Sequence, residues 1–126
     1  MTPARIHRGV ILLAHGSRDP LWRKPLEAVA ARSRQIDPMA NVECAYLEFM
    51  EPDLPACAAR MAQAGVQSIT VVPMFLGVGK HAREDMPRLI EALRISHAHI
   101  AFSLQSSIGE DERVVELLAR IALAGS

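Results

Sequence analysis

Val10-Ile11-Leu12-Leu13-Ala14-His15-Gly16 decides the fold. An unbroken apolar run bounded by Gly9 and by His15-Gly16 reads as a strand buried on both faces, the pattern of a parallel sheet with helices on each side. Downstream, Leu26, Val29, Ala30, Ser33 and Ile36 recur at helical spacing within Pro20 to Ile36, and Asp37-Pro38 closes that helix. Val42 to Phe49 supplies a second strand. Glu51-Pro52-Asp53 then turns into a helix with Leu54, Cys57, Ala58 and Met61 on one face, ended by Gly65.

Ser68 to Leu76 is a third, strongly apolar strand, in which Pro73 marks the end or an irregularity because it cannot donate to the ladder. Gly77-Val78-Gly79 opens a loop, and Met86, Leu89, Ile90 and Leu93 follow at i, i+3, i+4 and i+7 of a third helix. His97 to Leu104 is a weaker fourth strand. Val114, Val115, Leu117, Leu118 and Ile121 give a last helix beginning near Glu110. Four βα units in succession predict an α/β fold with a four-stranded parallel sheet, right-handed crossovers and helices on both faces. The chain has 126 residues and shows no linker, low-complexity tract or repeat, so one domain over 1–126 is expected.

Half the residues are apolar and 22% are charged, an ordinary globular composition. Fourteen basic residues balance 14 acidic ones, so no global field steers the chain toward nucleic acid or an anionic membrane. Cys44 and Cys57 both lie in segments read as core, which favours reduced thiols and a cytoplasmic setting. The run Val10 to Ala14 is too short for an export signal or a membrane span.

Ligands of open parallel sheets lie beyond the C-terminal strand ends. Those ends carry His15-Gly16-Ser17-Arg18-Asp19, Glu48, Gly77 to His81, and Gln105 to Gly109. If the strand order is 2-1-3-4, strands 1 and 3 are neighbours, so that His15 and His81 converge across the crevice and Glu48 lies to one side. Imidazole suits cobalt, nickel, iron and zinc, and a carboxylate can complete or neutralise such a site. Arg18, Arg23 and Lys24 on one loop and Lys80 and Arg83 on the other suit a substrate bearing several carboxylates. The remaining histidines, His7, His97 and His99, fall outside these loops and are expected to be solvated or structural. No Gly-x-x-x-x-Gly-Lys-Ser/Thr phosphate loop is present.

Leu12-Leu13-Ala14-His15-Gly16-Ser17-Arg18-Asp19-Pro20 resembles the opening of the sirohydrochlorin chelatases, specifically the small single-domain cobaltochelatase type. Ala45-Tyr46-Leu47-Glu48, Val71-Val72-Pro73-Met74-Phe75-Leu76 and Gly79-Lys80-His81-Ala82-Arg83-Glu84-Asp85-Met86-Pro87 are similar, in order, to further segments of that family. Ser106 to Arg113 matches the closing motif only loosely. The resemblance implies a chelatase-like (flavodoxin-like) three-layer sandwich. It implies a lyase-class metal chelatase that inserts Co(II), or Ni(II) or Fe(II), into sirohydrochlorin on a route to cobalamin or siroheme. His15 and His81 become the metal-binding and catalytic pair, Glu48 a further acidic position, and Ser17, Arg18, Lys80 and Arg83 the substrate-binding set. No cofactor is permanently bound, the metal being a substrate. The family's small members resemble one half of longer relatives, which implies a homodimer enclosing the macrocycle.

Three other readings compete. A histidine phosphotransfer enzyme expects arginine before the histidine, where this chain has Ala14. A flavodoxin-like regulatory module leaves the paired histidines unexplained. A non-catalytic metal or tetrapyrrole carrier needs nearly the same residues as the chelatase and differs from it only in turnover.

Overall fold

The computed structural model describes residues 8–125, so His7 lies outside the described residues. The element order is β1 (Arg8–Ala14), a 3-10 turn (Pro20–Arg23), α1 (Lys24–Ile36), β2 (Asn41–Tyr46), α2 (Leu54–Gln63), β3 (Ser68–Pro73), α3 (Lys80–Ser96), β4 (Ala101–Leu104), a second 3-10 turn (Ile108–Glu110) and α4 (Glu112–Ala124). The strands form one parallel sheet in the order β2-β1-β3-β4. Leu13 of the central strand stands opposite Ala45 on one side and Pro73 on the other.

Side chains of β1 alternate between two cores. Ile11 and Leu13 face α2 and α3, joining Cys57, Met61, Ile69, Val71, Ile90 and Phe102. Leu12 and Ala14 face α1, joining Leu26, Ala30, Val42, Tyr46 and Val72. A strand flanked by helices has no solvated face, which is why Val10 to Ala14 carries no polar alternation. α2 begins where the Asp53 carboxylate accepts from the Ala56 N–H at 2.9 Å, and it buries the Leu54, Cys57, Ala58 and Met61 stripe.

Boundaries depart from expectation where local hydrogen bonds win. The first helix opens as a 3-10 turn, because the Asp19 carboxylate accepts from the Leu21 N–H at 2.9 Å and caps the chain there. β2 stops at Tyr46, and Phe49 bends the chain with a φ of 67°. β4 is shorter than expected, since the Ile100 N–H donates to the His97 carbonyl at 3.0 Å and closes a turn ahead of it. Pro73 is the last residue of β3. α1 covers one face and α2 and α3 the other, but α4 buries none of its residues. Among the described residues no helix is long and apolar enough to cross a membrane.

Candidate functional site

The loops after β1 and β2 are stitched together past the ends of the strands. The Leu47 N–H donates to the Ala14 carbonyl at 2.9 Å, and the Glu48 N–H donates to the His15 carbonyl at 3.0 Å. Gly16 turns away from this seam with a φ of 96°, and a Cβ there would run into the Glu48 carbonyl oxygen. Only glycine meets both demands. On the β3 side, the Met74 N–H donates to the Leu13 carbonyl at 2.8 Å, which seats the buried Phe75 beneath His15. The two rings lie 4.4 Å apart at 32°, so the imidazole has an aromatic floor and an open upper face.

His81 comes from the first turn of α3, one residue after Lys80, with Gly79 at the N-cap. His15, Glu48 and His81 line one cleft of about 640 Å³. Asp85 and Arg88 line it too. They lie four and seven residues beyond His81, on the same helical face, and their carboxylate and guanidinium are 3.9 Å apart. That spacing was the available signal for both residues, and the sequence reading missed it. The cleft therefore holds two imidazoles, two carboxylates and a cation. Among the described residues, however, no three His, Cys, Asp or Glu side chains stand close enough together to hold a metal ion. Glu48 shares the cleft with the histidines without forming a three-ligand cluster with them.

A second recess, of about 680 Å³, lies across the Glu48 loop and is lined by Tyr46, Glu51, Pro52, Asp53 and Arg60 among others. It contains no histidine, so the smaller cleft is the better candidate for metal chemistry. Neither thiol lines the cleft: Cys57 is buried in the core and Cys44 borders a different recess, and burial raises both, Cys57 to about 12.

The residues expected to bind substrate, Ser17, Arg18, Lys80 and Arg83, lie outside the walls of the cleft. The Ser17 hydroxyl accepts from the Asp19 N–H at 3.0 Å and holds the loop's own turn. The Arg18 guanidinium stacks over the Phe49 ring at 4.7 Å. Lys80 and Arg83 are exposed on the first turn of α3. The free N–H groups of that turn also favour anions. Arg23 lies over the Tyr46 ring at 5.8 Å. Large apolar side chains stand exposed on the same three loops: Leu21, Trp22, Phe49 and Leu76. They give the strand ends an apolar rim suited to a flat hydrophobic ligand, a feature composition alone could not locate.

A parallel sheet in the order 2-1-3-4 with two histidines in the crevice between β1 and β3 defines a chelatase-like α/β domain. The chain belongs to the CbiX family, whose model matches residues 9–123. The sirohydrochlorin cobaltochelatase of Sulfurisphaera tokodaii is 31% identical over 110 residues, covering 87% of each chain. That of Methanopyrus kandleri is 35% identical over 64% of this chain, and the match spans 57% of the relative's length. Among solved structures, a CbiX protein of cobalamin (vitamin B12) biosynthesis from Marinobacter aquaeolei VT8 has a TM-score of 0.79 at 34% identity, covering 94% of this chain and 99% of that one. The Bacillus subtilis sirohydrochlorin chelatase SirB in complex with cobalt has a TM-score of 0.71 at 26% identity, covering 90% of this chain but 48% of that one.

Proposed function

We propose that this chain inserts a divalent metal ion, cobalt in the first place, into sirohydrochlorin, as a single-domain chelatase of the cytoplasm on a route to cobalamin or siroheme. The observation that carries the reading is the shared cleft of His15 and His81, on elements 66 positions apart in sequence. Insertion removes two pyrrole protons as a partly desolvated ion reaches the ring face. Neutral imidazole both ligates such an ion and accepts a proton near pH 7. Glu48 and Asp85 offset the positive charge that arrives with the metal. Arg18, Lys80 and Arg83, which are exposed and close in sequence to cleft-lining residues, would meet the side chains of a polycarboxylate substrate that reaches beyond the cleft. The ion is a substrate throughout, and no resident cofactor is required.

Names of relatives support cobalt; Ni(II) and Fe(II) are close in ligand preference. The length of SirB, about twice the span matched here, supports a homodimer in which two copies enclose one macrocycle. The test is anaerobic incubation with sirohydrochlorin and each ion, followed by absorbance spectroscopy. Insertion faster than the uncatalysed background is expected with Co(II). Binding of tetrapyrrole or metal without any acceleration would replace the enzyme with a carrier.

A further inference from the structure

We propose that Arg88 is the receptor, inside the cleft, for one carboxylate of the tetrapyrrole, and so helps to decide which macrocycles the chain accepts. This rests on the chelatase reading above and names the residue of that site that recognises its substrate. Among the described residues, Arg88 is the one arginine or lysine that lines the cleft with His15 and His81. At about 3.6 residues per turn, seven residues bring Arg88 back almost to the azimuth of His81, roughly 10 Å further along the helix axis. Arg83, two residues from His81, projects to nearly the opposite side of α3. Between His81 and Arg88 the wall is apolar, built from the half-buried Ala82 and Leu89 and the buried Met86. An imidazole, an apolar strip and then a guanidinium two turns away match a macrocycle taken from its centre to its rim: a metal-binding core, a flat hydrophobic ring and an anionic arm.

The bonding of the guanidinium fits a receptor. Its contact to Asp85 is 3.9 Å, an ion pair too long for a hydrogen bond, and its side chain is 81% exposed. Other arginines are engaged elsewhere. Arg34 donates to the Val42 carbonyl at 2.6 Å, Arg94 to the Phe102 carbonyl at 3.1 Å and Arg113 to the Asp111 carboxylate at 2.7 Å. A guanidinium held beside the cleft by charge alone keeps its donor fork for an incoming carboxylate, which it can take in two parallel hydrogen bonds. Charge makes the same demand. Glu48 and Asp85 line the cleft and repel a polycarboxylate, and Arg88 supplies the opposing charge that lets an anionic arm come to rest beside them.

Anaerobic titration of the full chain with metal-free sirohydrochlorin, followed by absorbance, tests it. Arg88→Gln should weaken binding about tenfold, the size of one hydrogen bond to a charged group. Arg88→Lys keeps the charge and loses the fork, so its affinity should fall between the two. With Co(II) present, the loss should appear in KM rather than in kcat. The fully methyl-esterified macrocycle has no carboxylate to offer and should bind wild type and Arg88→Gln alike. Both variants should keep the wild-type Tm, because an exposed i,i+3 ion pair contributes little to the fold. Equal affinity of wild type and Arg88→Gln for the free acid would overturn the receptor and leave the chelatase reading standing. A loss that the ester shares would overturn it too, since the arginine would then be shaping the cleft rather than meeting a carboxylate. Arg88-dependent binding without insertion faster than the uncatalysed background would uphold the receptor and overturn the chelatase reading instead.

Discussion

Glu48 donates its backbone N–H to the carbonyl oxygen of His15 at 3.0 Å, one rung beyond the Leu47 to Ala14 bond. The acidic loop and the histidine loop are therefore joined backbone to backbone at the mouth of the cleft.

Gly16→Ala should break that junction. The substitution combines a left-handed backbone, costing about 1–2 kcal/mol for an L residue, with a collision against the Glu48 carbonyl. A fall in Tm of roughly 8 °C is expected by calorimetry, from about 2 kcal/mol in a domain of this size. A wild-type Tm would show that the seam has slack.

His15→Ala and His81→Ala should each lower Co(II) insertion by about 100-fold or more, the range for removing a group that handles a proton or ligates the ion. Both side chains are exposed, so far-UV circular dichroism should not change. Equilibrium dialysis with Co(II) separates the roles. The residue whose loss leaves metal affinity intact while abolishing turnover is the base.

Phe49 holds a φ of 67°, where a bulky side chain is strained, and Arg18 stacks on its ring. Phe49→Gly should relax the backbone and change stability by less than about 1 kcal/mol, since relief of strain offsets added chain entropy. It should raise KM for sirohydrochlorin by about two- to fivefold, the equivalent of one exposed cation–π contact, with kcat unchanged. An unaltered KM would remove the pair from substrate binding.

Burial lifts the Cys57 thiol from its usual 9.0 to about 12, with the Glu43 charge adding to the effect. The unfolded thiol thus loses its proton first as pH rises. The stabilisation is complete below pH 9 and fades toward pH 12, so urea midpoints should fall across that window. A thiol-specific reagent at pH 8 should leave Cys57 unmodified in the native chain and label it once urea unfolds the protein. Rapid native labelling would contradict the burial.

The helix and strand alternation was legible because buried strands and amphipathic helices impose different periods, and Val10 to Ala14 and Met86 to Leu93 state theirs without ambiguity. The strand order 2-1-3-4 entered as a condition rather than a deduction, because no periodicity in the sequence dictates which strands are neighbours, and the structure has that order. Boundaries were less legible at Pro20–Arg23 and His97–Ile100, because single hydrogen bonds from Leu21 and Ile100 set them and leave no periodic trace. Asp85 and Arg88 were missed because on sequence they read as the solvated side of α3. The strained Phe49 turn has no glycine to announce it. The apolar pattern of α4 was read correctly, but a pattern says that a face is covered and not by which chain.

β1 takes β2 on one edge and β3 on the other, and this has a temporal consequence during synthesis. When the ribosome has released only the first half of the chain, the central strand has one edge paired and one bare, and the floor that Phe75 provides for His15 does not yet exist. Pairings so distant along the chain form slowly. A chain released before β3 emerges would therefore expose the unpaired edge of β1 and leave His15 without the Phe75 ring against it.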